Sequence, residues 1–407
     1  MSIRRVRTRT AQFHAFEKDI MSTTEASSPG RTKYRFEDVA PDTLAGRFMR
    51  QFWQPISLAS AIEPGKARPV HAFGESFTLY RTEDGAVHLT EFRCPHRRTQ
   101  LSTGWVEPDG IRCMYHGWKF GTDGQCKEVP GEDNANYIKR ISLKTYPVQE
   151  YLGLIFAWLG GGEPPAMPRY TAFEKAGYLD VTTYFRDCNH FQNIENGIDE
   201  VHVNFTHSVG VFGTSGLNEE VPQVQAEQTS YGLVAKGIRS DGRVRDTQFL
   251  MPNILMLKLP ATAEGETDWR NYISWRIPVT ETLHMAFIVQ GIAVSGDDIG
   301  KFVAAREAEA AEIAKLPSFK EVSLKVMAGE ISMTDVPLRP DITGIQDYVT
   351  QVGQGEIVDR SQEHLGRSDI AIVLLRRLWE NELRLLEQGQ PLTQWRVPDM
   401  LAPSKGL

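Results

Sequence analysis

Two groups of residues in this 407-residue chain have the types and spacing to hold iron. The first is Cys94-Pro95-His96 with Cys113-Met114-Tyr115-His116, a C-P-H-x16-C-x-x-H array. Two soft thiolates on one iron and two neutral imidazoles on the other make a [2Fe–2S] cluster of raised potential, suited to passing single electrons. The second is the stretch Asn193–His207, NIENGIDEVHVNFTH, which sets Asp199, His202 and His207 in a D-x-x-H-x-x-x-x-H array. Two imidazoles and a carboxylate can hold iron(II) with open coordination positions. One geometric condition follows. Residues five apart on a regular helix point about 140° apart, so the helix must end or distort near Val203–Phe205 for both imidazoles to meet one metal.

A structural zinc site is the alternative for the cysteine pair, but C-x-H is an awkward zinc spacing. The neighbouring run, CPHRRTQLSTGW and CMYHGWKFGTDGQC, resembles the ligand region of Rieske-type oxygenases. Arg98 stands where many such sequences have glycine, and Cys126 falls outside the ligand pattern. The second stretch matches the same family's E-N-x-x-D-x-x-H-x-x-x-x-H motif at Glu195, Asn196, Asp199, His202 and His207. The resemblance implies that Cys94, His96, Cys113 and His116 hold the cluster and that His202 and His207 hold a mononuclear Fe(II).

Asp199, one turn before His202, could itself be the carboxylate ligand. In the family, however, this aspartate joins the two metal centres, which here would link His202 to His116 of a neighbouring subunit in a ring-shaped trimer. The third ligand must then lie downstream, among Asp335, Asp341, Asp347, Asp359, Glu363 and Asp369. Asp347 is favoured. It sits in a Gln-Asp pair, and the run from Gln346 (QDYVTQVGQGEIVDRSQEHLGRSD) resembles the C-terminal region of phthalate-type oxygenase subunits. Asp359 reads as an ion-pair partner of Arg360, and Asp369 as a helix cap. His190, His364 and His71 are read as structural, and Trp105 and Trp118 as packing.

Composition sets the wider frame. Hydrophobic residues at 41% and charged residues at 24% are ordinary for a globular chain. A net charge of −7 without a basic block argues against nucleic acid as a partner. No apolar run is long enough to span a bilayer. Four cysteines are too few for a disulfide scaffold and fit a reducing compartment, the cytoplasm by default. The arginine-rich start lacks the apolar core of a secretory signal. Met21 is an alternative first residue, with the preceding twenty an upstream extension.

The elements that must position these residues fall into three parts: an N-terminal extension over 1–39, a cluster domain with a leading helix over 40–165, and a catalytic domain over 166–407. Leu44, Phe48 and Phe52 predict an amphipathic helix over 42–53, ended by Pro55. Asp-Gly pairs at 84–85, 109–110 and 123–124 predict tight hairpins, hence an all-β cluster domain. Val181–Arg186 is predicted as a strand, 189–201 as the motif helix and 204–222 as glycine-rich loop. Strands follow at about 223–238, 246–258, 269–278 and 282–294, then helices over 302–315, 344–352 (capped by Thr343 and Gln346) and 368–386. The fold class is α+β, with an antiparallel sheet covered by helices in the catalytic domain.

By this resemblance the chain is the oxygenase component of a phthalate-dioxygenase or aryl O-demethylase type enzyme. Electrons would come from NAD(P)H through a separate reductase or ferredoxin, since the chain has no glycine-rich dinucleotide fingerprint. O2 and an aromatic acid or its methoxy derivative would be the substrates, with dihydroxylation and O-demethylation both open. Arg239, Arg270 and Arg276 are candidates for a substrate carboxylate. The alternatives are a Rieske electron-transfer protein without oxygenase chemistry and a zinc-stabilised binding module.

Overall fold

The computed structural model describes residues 6–8, 34–210, 219–261, 266–398 and 401–402. Most of the predicted N-terminal extension and the centre of the 204–222 loop lie outside the described residues. The chain forms two compact units, divided near residue 168, with residues 34–38 belonging to the second.

The first unit is built of small antiparallel sheets. Lys66–Ala72, Glu75–Arg81, Val87–Glu91 and Thr145–Tyr146 form one; Trp53–Leu58, Leu154–Trp158 and Val148–Tyr151 form another. The third, Trp105–Glu107, Gly110–Arg112, Lys119–Gly121 and Cys126–Glu128, frames the second cysteine loop. Gly85 and Gly124 adopt the positive φ expected of their turns, 91° and 79°. Gly110 does not. It is a strand residue, and a Cβ there would lie 1.9 Å from the Phe120 carbonyl oxygen. Its glycine is required by close strand approach rather than by turn geometry.

The leading helix is shorter than predicted, Leu44–Met49, and Pro55 is not its terminator. Pro55 lies inside strand Trp53–Leu58, at the edge of its sheet, where the register shifts opposite Ile155/Phe156. An edge strand with a bulge is where a residue lacking N–H is tolerated.

In the second unit an antiparallel sheet runs in the spatial order Tyr178–Arg186, His284–Ile292, Arg270–Pro278, Ile254–Leu259, Val244–Leu250, Gly232–Ile238, Gln223–Gln228. Alternation along Arg270–Pro278 puts Tyr272, Ser274 and Arg276 on one face and Ile273, Trp275 and Ile277 on the other. Helix His190–Ile198 lies on the first face, where Arg276 Nε donates to Asn193 Oδ1 at 2.9 Å. Helix Ile370–Glu387 covers the far strands with Leu375, Trp379 and Leu383 buried. Each such side chain contributes roughly 1.5–3 kcal/mol by leaving water. Residues 34–38, assigned from sequence to the extension, join this core. Phe36 stacks on Phe191 at 4.6 Å, and Tyr34 donates to Glu387 at 2.9 Å. Two aromatic rings give this short segment enough apolar surface to dock.

Helices Phe319–Met327, not predicted from the sequence, and Ile342–Val352 pack together through Val322, Ile342 and Ile345. The second starts two residues earlier than predicted. Asp341 is its N-cap, and neither the Thr343 nor the Gln346 side chain caps it.

Candidate metal centres and the family they define

The cysteine loops share one backbone design. Cys94 N–H donates to Thr99 O at 2.8 Å while Arg98 N–H donates to Cys94 O at 2.9 Å. In the second loop Cys113 N–H donates to Trp118 O at 2.8 Å and Gly117 N–H to Cys113 O at 3.0 Å. Arg98 and Gly117 occupy the same place, with φ of 61° and 72°. Glycine enters this left-handed region without strain, whereas an L side chain pays about 1 kcal/mol. The sequence departure at Arg98 is therefore a strained residue beside a candidate ligand.

The donor set fits an iron–sulfur cluster. Cys94 and Cys113 are buried and unpaired with any disulfide partner, and burial pushes the Cys94 thiol up to about 12. Only a cation would hold such a sulfur as thiolate at neutral pH. The His96 and His116 rings lie 4.5 Å apart. His116 Nδ1 is buried with no hydrogen-bond partner, leaving a free lone pair for a metal. Trp118 stacks flat on His96, ring centroids 4.4 Å apart, whereas Trp105, expected to pack, is 57% exposed. Cys126 joins the apolar core beneath the loops.

The His202 stretch breaks earlier than geometry required. Helix His190–Ile198 ends at Asp199, which is extended (φ −78°, ψ 108°), and a new turn runs over His202–Phe205. The break thus precedes both imidazoles instead of separating them, and their rings lie 5.1 Å apart. His202, His207 and Asp347 each bring one ligand atom within 4.8 Å of the others.

Hydrogen bonds set the imidazole tautomers. His202 Nδ1 donates to the Asp199 backbone carbonyl at 2.5 Å, and His207 Nδ1 to Gln346 Oε1 at 2.9 Å. Carbonyl oxygens only accept, so both rings carry their proton on Nδ1 and present the Nε2 lone pair. His207 Nε2 lies 3.3 Å from Asp347 Oδ1, which also receives Asn196 Nδ2 at 3.3 Å. Burial opposes charge on Asp347, but His207 and nearby cations outweigh it and hold the carboxyl at about 2. Burial pushes His202 below its usual value, whereas on His207 the Asp347 carboxylate outweighs burial. The set fits iron(II).

The expected carboxylate contact from Asp199 to the His202 ring runs through the backbone instead. Asp199 Oδ1 accepts from Val201 N at 2.9 Å and His202 N at 3.3 Å, bracing the turn. Glu200, buried, is tied to the sheet by Arg245 at 2.9 Å and by Thr247 Oγ1. Glu195 receives Arg360 at 2.8 Å and Arg376 at 2.6 Å, so Arg360 pairs with Glu195 and not with Asp359. The other carboxylates weighed as ligands are engaged elsewhere: Asp335 with Ser332 N, Asp341 with Arg339, Asp359 with Ser361 and Gln362, Glu363 with Arg376, Asp369 with Gly366 N.

Sequence reasoning missed the orienting role of Gln346, whose only signal was its place beside Asp347. A pocket of 490 Å³ opens next to Gln346 and Ile342, with Phe205, Val209, Met333 and Leu338 among its lining.

Residues 52–147 match the Rieske [2Fe-2S] domain family. The chain is 30% identical over 387 residues to the phenoxybenzoate dioxygenase subunit alpha of Ectopseudomonas oleovorans, covering 89% of this chain and 87% of that one. It is 29% identical over 374 residues to the 5,5'-dehydrodivanillate O-demethylase oxygenase subunit of Sphingobium sp. SYK-6, covering 86% and 80%. The terminal oxygenase of carbazole 1,9a-dioxygenase from Novosphingobium sp. KA1 shares the fold, with a TM-score of 0.61 at 22% identity over 89% of this chain and 98% of that one. A two-centre protein of this kind is a Rieske non-haem iron oxygenase. This chain belongs to that family as an oxygenase (alpha) subunit, with a [2Fe–2S] cluster and a mononuclear iron as its cofactors.

Proposed function

We propose that this oxygenase acts on an aromatic substrate, hydroxylating the ring or removing an O-methyl group. In this reading Cys94, His96, Cys113 and His116 hold the cluster, and His202, His207 and Asp347 hold the mononuclear iron. The observation that carries it is the convergence of those three side chains within 4.8 Å, behind a turn that follows the family motif. The relatives' names, a phenoxybenzoate dioxygenase and a 5,5'-dehydrodivanillate O-demethylase, support the substrate class.

When bound, the cluster supplies single electrons and the mononuclear iron the position at which O2 is reduced. The chain's residues do the positioning. The Asp199 carbonyl and the Gln346 amide oxygen keep the proton of His202 and His207 on Nδ1, so that Nε2 carries the lone pair a metal would take. Asn196 orients the Asp347 carboxylate by donating to Oδ1. Asp199, its carboxylate braced on the turn, stands between His202 and His116 of a neighbouring subunit in a homotrimer. A separate NAD(P)H-dependent reductase or ferredoxin delivers the electrons, in the cytoplasm. The cluster domain spans about 40–165, and the catalytic domain 166–407 together with residues 34–38.

The test is product analysis with labelled O2 on an aromatic panel, scored for formaldehyde. One labelled atom with formaldehyde identifies a demethylase; two labelled atoms in a ring diol identify a dioxygenase. No oxygenated product from any aromatic, with both metal centres loaded and reduced, would sink the proposal.

A further inference from the structure

Buried charges are costly unless an opposite charge or several hydrogen bonds meet them. Most buried and half-buried arginines of the second unit obey this. Arg270, one of three arginines considered for a substrate carboxylate, is taken by Glu266 at 2.6 and 2.8 Å. Arg245 is held by Glu200, Arg360 and Arg376 by Glu195, and Arg306 by Asp180. Arg186 has its charge met by the faces of Tyr184 and Tyr348, at 4.8 and 5.5 Å, and donates to Gly344 O.

Arg276 differs from all of them. It is only 5% exposed, yet no carboxylate among the described residues pairs with it. Nε donates to Asn193 Oδ1, Nη1 to Ser274 Oγ, and Nη2 donates to no described residue. The guanidinium is therefore anchored by two neutral acceptors, with one edge unspent. Ser274 Oγ accepts from Arg276 while its own proton faces the Tyr272 phenol oxygen, which leaves the phenol proton available to donate. Tyr272 continues the same strand face one step further on.

This row faces the metal-binding segment. Arg276 touches helix His190–Ile198 at Asn193, and a Cβ on Gly197 would come within 3.6 Å of Nη2 and 3.0 Å of Leu255. Asn196, on the same helix, donates to Asp347. The half-buried Tyr272 phenol is within electrostatic reach of both Arg276 and Asp347. Leu255 and Leu257, paired across the strand with Ser274 and Tyr272, put apolar surface beside the donors.

We infer that Tyr272, Ser274 and Arg276 form the binding row for the carboxylate of an aromatic acid substrate. Arg276 Nη2 takes one carboxylate oxygen in a charge-assisted hydrogen bond, and the Tyr272 hydroxyl, held in line by Ser274, supplies a further donor. The aromatic ring is thereby oriented from the end remote from the reacting carbon. The inference rests on the aromatic-oxygenase reading above and goes beyond it by assigning the specificity residues.

The test uses the metal-loaded enzyme with methoxy- and phenoxybenzoates and their neutral amides, measuring binding by calorimetry and turnover by O2 uptake. Wild type is expected to bind the acids at least about tenfold more tightly than the amides. Arg276→Gln, which keeps a donor for Asn193, should lose about that factor for the acids and leave the amides unchanged; Arg276→Lys should recover part. Ser274→Ala, the smaller change, should weaken acids alone by several-fold and serves if the arginine variants fail to fold by circular dichroism. Equal binding of acids and amides by wild type, or equal weakening of both in folded variants, overturns the inference. Turnover of neutral aromatics with none of the acids would overturn it while leaving the aromatic reading intact. No uptake with either set would overturn that reading and this inference with it.

Discussion

The cysteine loops and the His202–His207–Asp347 group, the two proposed iron sites, are assembled with opposite economies of chain. Each cysteine loop closes on itself within six residues through a pair of backbone hydrogen bonds, Cys94 with Arg98 and Thr99, Cys113 with Gly117 and Trp118. The iron group instead joins a broken helix to another far downstream, as in the bond between His207 and Gln346, 139 positions apart. Local closure depends mainly on turn geometry. Distant convergence depends on buried braces, such as Glu195 with Arg360 and Arg376 and Glu200 with Arg245. A change in a loop should therefore stay local, whereas a change in a brace should propagate to the metal.

Replacing Asp347 with Ala removes the sole carboxylate of the iron group and should abolish mononuclear iron binding and oxygenation. The visible spectrum of the cluster should survive; retained iron by elemental analysis would show the assignment wrong. Glu195→Gln unpairs two arginines and should cost roughly 3–5 kcal/mol in denaturant unfolding. A loss of a few tenths only would mean that the brace is dispensable and the comparison false. Gln346→Leu leaves His207 in place without its Nδ1 acceptor, so iron affinity should fall about 10–100-fold with the cluster unchanged. Unaltered affinity in a competition titration would remove Gln346 from the site.

His190 sharpens the comparison from the side of stability. It is fully buried in the motif helix, both ring nitrogens lack partners, and burial with nearby Arg360 holds its pKa down to about 3. Its ordinary value is 6.5. The unfolded chain therefore binds a proton that the folded one refuses between those limits. The native state loses stability as pH falls through that window, by up to about 1.4 kcal/mol per unit, and is indifferent to this group above it. His190→Leu should flatten the upper part of the acid limb, measured by melting temperature between about pH 6.5 and 5. An unchanged slope would place the acid sensitivity elsewhere.

The smallest effect belongs to the loops. Arg98→Gly relieves a positive φ at an exposed site and should stabilise the protein by about 0.5–1 kcal/mol, offset in part by the entropy of the unfolded glycine. If the melting temperature falls instead, the Arg98 side chain has a role that its 3.7 Å contact with Glu91 does not explain.

How much could be read from the chain itself follows the same division. The cluster motif was legible because its residues and its geometry are both local: C-P-H and C-x-x-H each lie within a single turn. The histidine pair was legible as residue types, but the place of its break was not. Geometry required a distortion around Val203–Phe205, while the helix ends at Ile198 and Asp199 turns extended. Tertiary braces at Glu200 and Arg245 accompany that choice, and no periodicity encodes them. Thr343 and Gln346 fitted a capping box, yet Gln346 is spent on His207, because an amide facing a buried imidazole is worth more there than at a solvated helix end.

Among the arginines, sequence could name Arg239, Arg270 and Arg276 but could not rank them. Only the folded sheet shows Arg270 neutralised by Glu266 and Arg276 left beside serine and asparagine. What the sequence determined by itself was the chemistry: which atoms can bind iron, and at what spacing. Which carboxylates and cations are already paired was decided by tertiary structure, because pairing depends on which distant strands and helices bury each charge.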